Sequence, residues 1–175
     1  MRLTILTTGG TIDKTYDEFQ GSLQNVHTVL DFILGSLRLP DLFVRHIEVM
    51  HKDSLDMTAA DRESIARAVC DAARSSDAIV ILHGTDTLAD TGEHLLATCT
   101  ELDIPVVLTG AMRPYEFRDT DAIQNVTEAL LAARLVEPGV YAVLHNRVLR
   151  FPGVVKNRDA LHFERSTAPA HAETA

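Results

Sequence analysis

The sequence has few of the residues that would indicate a disulfide scaffold or a metalloprotein. Only two of its 175 residues are cysteines, Cys70 and Cys99, and tryptophan is absent. Both cysteines fall in helical patterns without a CxxC neighbour, so we expect reduced core thiols, as in a cytoplasmic protein. The eight histidines show no HExxH-type spacing, and the sequence therefore predicts no metal site.

Long apolar runs and clusters of basic residues are lacking as well. No stretch approaches the length needed to span a membrane, and the apolar run within residues 1–10 is too short for a signal peptide. The formal net charge is −9, so phosphate backbones and anionic membrane surfaces would be repelled. The sequence therefore predicts a protein that binds neither nucleic acid nor membranes.

The chain alternates regularly between strand-like and helix-like segments. Strands are predicted at residues 2–7, 43–50, 77–82, 105–108 and 140–144, and a hairpin arm at 148–155. Helices are predicted at residues 26–37, 58–73, 87–102 and 121–136. This order predicts one doubly wound, Rossmann-like α/β domain over residues 1–165, with a mostly parallel sheet and helices on both faces. The Ala-, Pro- and Thr-rich tail, residues 166–175, is expected to be disordered.

Small and polar residues gather where each predicted strand ends. These clusters are residues 8–13, 53–56, 83–87, 109–114 and 156–157. The carboxyl ends of parallel strands lie at one edge of a sheet, and ligands of doubly wound domains bind in the crevice there. We therefore expect the five clusters to line a single site.

The clusters contain the groups that nucleophilic hydrolysis requires. A glycine pair precedes Thr11 and permits a sharp turn that would present its hydroxyl as a nucleophile. Lys156 is a candidate base, with Asp86 to orient it and Thr85 to relay a proton. Taken singly, the same residues have ordinary structural roles, because threonine and aspartate cap helices and lysine is usually a solvated surface charge.

Three motifs carry a resemblance to a known family. They are TGGTI at residues 8–12, HGTDTL at 83–88 and TGAMRP at 109–114. They resemble signatures of the bacterial L-asparaginases, and the resemblance runs from about residue 3 to residue 156, which corresponds to that family's N-terminal domain. It implies hydrolysis of L-asparagine to L-aspartate and ammonia through a threonine-linked acyl-enzyme, without a cofactor, in a cytoplasmic homo-oligomer.

The resemblance also implies a set of site residues. The catalytic residues would be Thr11, Thr85, Asp86, Lys156 and Tyr16, and the substrate-binding residues Gly10, Ser54, Leu55, Gly84, Asp86 and Ala111. Asp86 would pair with the substrate's α-ammonium and Ser54 would donate to its α-carboxylate. The backbone carbonyl of Ala111 would contact the leaving amide.

Three departures from the family pattern modify this expectation. Tyr16 lies only five residues after Thr11, closer than the family's lid tyrosine, and Leu55 replaces a polar substrate contact. The family's C-terminal domain has no counterpart in the sequence, so we expect a short, single-domain form that captures substrate weakly. Two alternatives stay open, an asparaginase-like subunit of a tRNA-linked amidotransferase and a non-catalytic amino-acid binding module.

Overall fold

A six-stranded sheet forms the centre of the molecule, and the computed structural model describes residues 1–166. The strands are β1 (Arg2–Gly9), β2 (Lys14–Asp17), β3 (Ser22–Asn25), β4 (Phe43–Lys52), β5 (Ala78–Leu82), β6 (Pro105–Thr109), β7 (Gly139–Leu144), β8 (Arg147–Arg150), β9 (Val154–Asn157) and β10 (His162–Arg165). The helices are α1 (Leu30–Ser36), α2 (Ala59–Ala73), α3 (Leu88–Thr98) and α4 (Ala122–Leu135). The sheet order is β4–β1–β5–β6–β7–β8, with the first five strands parallel and β8 antiparallel to β7. The prediction of a mostly parallel, doubly wound sheet is confirmed.

Both faces of the sheet are covered by helices, as the uninterrupted apolar run of β5 predicts. Alternate residues of β5 belong to different core clusters: Val80 packs with residues of α1 and α4, whereas Ile81 packs with residues of α2 and α3. All five residues of β5 are buried. The central strands are therefore fixed from both sides, and their carboxyl ends are rigid positions from which loops can hold functional side chains.

Helix α2 begins where its sequence predicts, and α1 does not. The Thr58 hydroxyl accepts a hydrogen bond from the Asp61 N–H, and the Asp61 carboxylate accepts one from the Thr58 N–H, which completes a capping box. The predicted helix at 26–37 is wrong in its first turn, because α1 begins only at Leu30 and Val26 is exposed. The buried carboxylate of Asp13 binds the N–H of Val29 and holds the chain in a non-helical conformation before α1.

The arms at the end of the sheet also differ from the prediction. The expected hairpin at 148–155 is wrong, because β8 instead turns back on β7 through His145 and Asn146, both of which have positive φ. β9 then pairs with β10 in a separate two-stranded sheet. No sequence pattern indicated β10, or the hairpin formed by β2 and β3. The predicted disordered tail lies outside the described residues, apart from Ser166, whose N–H donates to the carbonyl of Gly153.

The two cysteines do not both lie in the core. Cys99 is buried just after α3, whereas Cys70 is exposed on α2, so the expectation of two core thiols is wrong for Cys70. Helix α3 ends at Thr98, earlier than the predicted residue 102. Among residues 1–166, none of the helices is long and apolar enough to cross a membrane.

Candidate active site

Glycines bring three of the predicted clusters into backbone contact at the carboxyl edge of the sheet. Gly10 follows β1 with a φ of +94°, and a Cβ built on it would lie 2.5 Å from the Cα of Gly84. A Cβ on Gly84 would in turn lie 2.5 Å from the Oγ of Ser54. Side chains at either glycine would separate the loops, so both positions require glycine. Three of the predicted pocket residues, Gly10, Gly84 and Ser54, therefore lie together.

Lys156 connects the loop after β5 to the arm formed by β9. Its Nζ donates to the Oγ1 of Thr85 at 2.8 Å and to the Oδ1 of Asp86 at 3.0 Å. The lysine side chain is only 12% exposed and the aspartate side chain 25% exposed. Partial burial strengthens such contacts, because little water screens the charges. The structure thus brings three predicted catalytic residues together, with Thr85 and Asp86 both hydrogen-bonded to Lys156 Nζ.

Thr11 occupies the first position of a short 3-10 helix, Thr11–Asp13, immediately after Gly10. Its side chain is half-buried and makes no hydrogen bond to any residue in the part of the chain that the structure describes. The helix is anchored by Asp13, whose Oδ1 accepts from the Thr28 hydroxyl and the Val29 N–H. Burial raises the pKa of Asp13, although these two donors oppose the shift. The backbone of Thr11 is therefore fixed by the anchored 3-10 helix, and its hydroxyl is available to bind a ligand.

Ser54 lies at the start of a second 3-10 helix, Ser54–Asp56, and is 1% exposed. Its Oγ is buried without a hydrogen-bond partner among residues 1–166, whereas its carbonyl accepts from the Thr87 hydroxyl at 2.8 Å. A buried unpaired hydroxyl is unfavourable and marks a position that a bound polar group can complete. Leu55, next to it, is 64% exposed and is held by its N–H, which donates to the Oδ1 of Asp53.

His83 fixes the loop that carries Thr85 and Asp86. Its Nδ1 lies 2.8 Å from the carbonyl of Gly84 and its Nε2 lies 2.8 Å from the Oγ1 of Thr91 on α3. The ring is completely buried, and burial lowers the pKa of His83 to about 4. A neutral imidazole with both nitrogens engaged in this way positions the loop and is not available for other contacts.

The loop after β6 is held by a network that the sequence did not indicate. Asp121 accepts from the backbone N–H groups of Met112 and Arg113 and from His145 Nε2. Burial alone would raise the pKa of Asp121, but these donors together lower it. Asn125 on α4 is fully buried and donates to the carbonyl of Gly110. This network fixes the segment around Ala111, which is itself buried.

Two residues stand apart from the expected arrangement. Tyr16 lies on the β2–β3 hairpin and is 59% exposed, its backbone N–H donates to Glu116, and its hydroxyl forms no hydrogen bond to Thr85, Asp86 or Lys156. Arg158 is an unpredicted member of that cluster, because its guanidinium lies 3.1 Å from Asp86 Oδ1. It lies in the turn that follows β9, so no strand or helix period in the sequence indicated its contact with Asp86.

Comparisons with known proteins agree with this fold and this arrangement of motifs. The family model described as "Asparaginase, N-terminal" matches residues 2–171. The L-asparaginase of Thermococcus kodakarensis is 36% identical over 151 residues, which cover 85% of this chain and 45% of that protein. A glutamyl-tRNA(Gln) amidotransferase component of Methanococcus vannielii is 30% identical over 83% of this chain and 34% of its own length. The structure of the thermostable L-asparaginase from Thermococcus kodakarensis superposes with a TM-score of 0.84 at 33% identity, covering 97% of this chain and 52% of that one.

The fold and the site together define a doubly wound α/β domain. It carries a cluster of threonine, lysine and aspartate at the carboxyl edge of its sheet. The chain belongs to the asparaginase family and matches its N-terminal domain. It spans about half the length of the relatives named asparaginase that it matches.

Proposed function

We propose that the chain hydrolyses the side-chain amide of L-asparagine to L-aspartate and ammonia, with Thr11 as nucleophile. The observation that carries the proposal is the Lys156–Thr85–Asp86 cluster, at the same sheet edge as a threonine hydroxyl that bonds to no residue of the described chain. A nucleophile, a proton-transfer group and an orienting carboxylate are the parts that covalent amide hydrolysis needs. The proposed reaction uses no cofactor.

The proposed reaction is a double displacement. Thr11 Oγ1 attacks the side-chain carbonyl carbon while its proton passes to the unit formed by Thr85 and Lys156. In the reacting form Lys156 is an unprotonated amine: Thr85 Oγ1 takes the Thr11 proton while its own hydroxyl proton passes to Lys156 Nζ, which lies 2.8 Å from that oxygen. The unit returns the proton to the departing nitrogen, which leaves as ammonia. Water then attacks the acyl carbon, its proton returns through the same unit to Thr11, and L-aspartate is released.

Two groups of the site support an amino acid as the substrate. Asp86 is a carboxylate within the site and can pair with an α-ammonium, and the buried Ser54 Oγ can donate to an α-carboxylate. Charge-assisted hydrogen bonds of this type are short and strong. The backbone of the Gly10–Thr11 turn and the start of the 3-10 helix offer N–H groups for the developing oxyanion. We further propose a cytoplasmic homo-oligomer, with 1–165 as the functional domain.

The similarity to amidotransferase components supports a second candidate function. In this alternative the chain releases ammonia for a partner enzyme that acts on tRNA. The net charge of −9 argues against direct contact of this chain with tRNA. Both candidates involve amide hydrolysis, and they differ in whether a partner is needed.

Ammonia release by the purified chain alone distinguishes them. We expect ammonia and L-aspartate in equal amounts from L-asparagine, without a partner protein or tRNA, and release at least ~10²-fold slower from the Lys156→Met variant. Ammonia that appears only after a partner protein is added would favour the amidotransferase. Binding of L-asparagine without any ammonia would support the binding module and overturn the proposal.

A further inference from the structure

Two thiols meet at the end of the molecule opposite the candidate site. Cys70 lies on α2 and Cys99 just after α3, and their Sγ atoms are 3.0 Å apart. Both helices end near the amino edge of the sheet, because each is followed by a strand that returns to the carboxyl edge. An open cleft of about 530 Å³ gives solvent access to the pair. The pair is thus reachable by a small oxidant and is remote from Thr11 and Lys156.

We propose that Cys70 and Cys99 are a modification site. Reaction with a small-molecule disulfide oxidises the two thiols to an intramolecular disulfide bond. Cys70 is exposed, so its thiolate attacks the external disulfide first and one external thiolate leaves. The Cys99 thiolate then attacks the Cys70 sulfur, and the second external thiol is released. The two cysteines lose two electrons and two protons in total, and the external disulfide gains both. Burial raises the pKa of Cys99, which agrees with this order of attack.

A bond at this position would tie α2 to α3 across 29 residues of sequence. Closing a loop of this length restricts the unfolded chain, which in a domain of this size corresponds to a rise in Tm of roughly 5–15 °C. The helices are already packed together in the native state, so the bond should leave the opposite edge unchanged.

Oxidised glutathione, intact-mass measurement and thermal unfolding test the site. The wild type should become lighter by two hydrogen atoms, yield a peptide linking Cys70 to Cys99 and unfold at a higher temperature, with full reversal by dithiothreitol. Cys99→Ser should retain one glutathione on Cys70, and Cys70→Ser should gain neither modification nor stability. A wild type in which both thiols can still be alkylated, or in which Cys70 keeps glutathione unresolved, would overturn the proposal.

A second inference comes from Arg158 and rests on the proposed function of the site. Its guanidinium and the Lys156 ammonium contact the same oxygen, Oδ1 of Asp86. One carboxylate therefore faces two cations. A substrate α-ammonium would bring a third positive charge to that carboxylate, so Arg158 must withdraw or compete with it.

We infer that Arg158 is a specificity-determining residue that disfavours ligands carrying an α-ammonium relative to ligands that lack it. The guanidinium is attached to a side chain that is 66% exposed, so it can move into solvent at modest cost. An exposed ion pair of this kind changes binding by about two- to fivefold. L-Aspartate and succinate differ only in the α-ammonium, which makes them a matched pair of probes.

Calorimetric dissociation constants for both dicarboxylates test this role. Arg158→Gln should tighten L-aspartate about two- to fivefold and leave succinate unchanged or weaker, whereas Arg74→Gln at the opposite end of the molecule should change neither. An unchanged ratio of the two constants in Arg158→Gln, or binding of neither probe, would contradict the inference. Ammonia release from L-asparagine by the same variants judges the proposed function separately.

Discussion

The two halves of the candidate site are built differently. The fixed half, which consists of His83, Thr85, Asp86 and Lys156, is mostly buried and closed by hydrogen bonds among its members and to α3. The open half consists of Thr11, whose hydroxyl has no partner within residues 1–166, and the β2–β3 hairpin with its exposed tyrosine. In the proposed mechanism, the proton-transfer unit would therefore be assembled before substrate arrives, whereas the surroundings of Thr11 would be completed by the substrate.

Removing the nucleophile from the open half should have the largest effect. We expect Thr11→Ala to lower kcat at least ~10³-fold, because the covalent route is lost. The melting temperature should stay the same, since the Thr11 hydroxyl bonds to no described residue. Steady-state ammonia release measures the loss, and Thr11→Ser, which keeps a hydroxyl, is the matched control. Retention of more than about a tenth of the activity would remove Thr11 from its role.

Breaking the fixed half should be almost as damaging. Thr85→Val and Lys156→Met should each lower kcat by roughly 10²–10⁴-fold, because the proposed mechanism assigns both to one proton-transfer unit. The double variant should lose little more than either single variant in an ammonia-release assay. Multiplicative losses in the double variant would show that the two groups act independently.

Burial of His83, which positions the loop of the fixed half, leads to a prediction about how stability depends on pH. The pKa of His83 is lowered to about 4 by burial, below its ordinary 6.5, so its contribution to stability is complete above pH 6.5 and is lost as pH falls toward 4. Between pH 6.5 and pH 4 the unfolded chain binds a proton on His83 that the folded chain excludes. This difference lowers the free energy of unfolding by about 3 kcal/mol over that pH range. Urea unfolding of the wild type and of His83→Gln at several pH values isolates this contribution. Identical pH dependence in the two proteins would contradict it.

Ser54, at the border of the two halves, should affect capture more than chemistry. Ser54→Ala removes the buried hydroxyl, and a lost hydrogen bond to a charged group costs about 1.5–3 kcal/mol, or roughly 10- to 150-fold in affinity. We expect KM to rise with kcat little changed, because ground state and transition state share the contact. Because the hydroxyl bonds to none of the described residues, the variant should fold normally. A fall in kcat at constant KM would place Ser54 in the chemical step instead.

The sheet and the fixed half could be predicted from the sequence because both depend on local signals. The apolar run of β5 defines a buried strand, and the glycine-rich ends of β1 and β5 define the loops that meet at Gly10 and Gly84. Parallel topology then brings those loops together, so residues distant in sequence could be assigned to one site.

The parts that the sequence did not predict depend on tertiary contacts between polar residues. Asp13 shortens α1 from a distance, and Asp121 and Asn125 hold the loop after β6, yet each reads locally as an ordinary helix-flanking or helical residue. The exposed position of Tyr16 depends on a hairpin whose strands carry no clear alternation. Such interactions become visible only when the partners are brought together by the fold.

The central claim, that Thr11 carries the acyl group, is tested most directly by trapping the intermediate. Acid-quenching the enzyme during turnover of L-asparagine and mapping the modified peptide by mass spectrometry should show an aspartyl ester on Thr11, and no adduct in Thr11→Ala. The adduct should accumulate in Thr85→Val only where this substitution slows the attack of water more than it slows acylation. An aspartyl adduct on Thr85, or steady ammonia release by Thr11→Ala, would contradict the account.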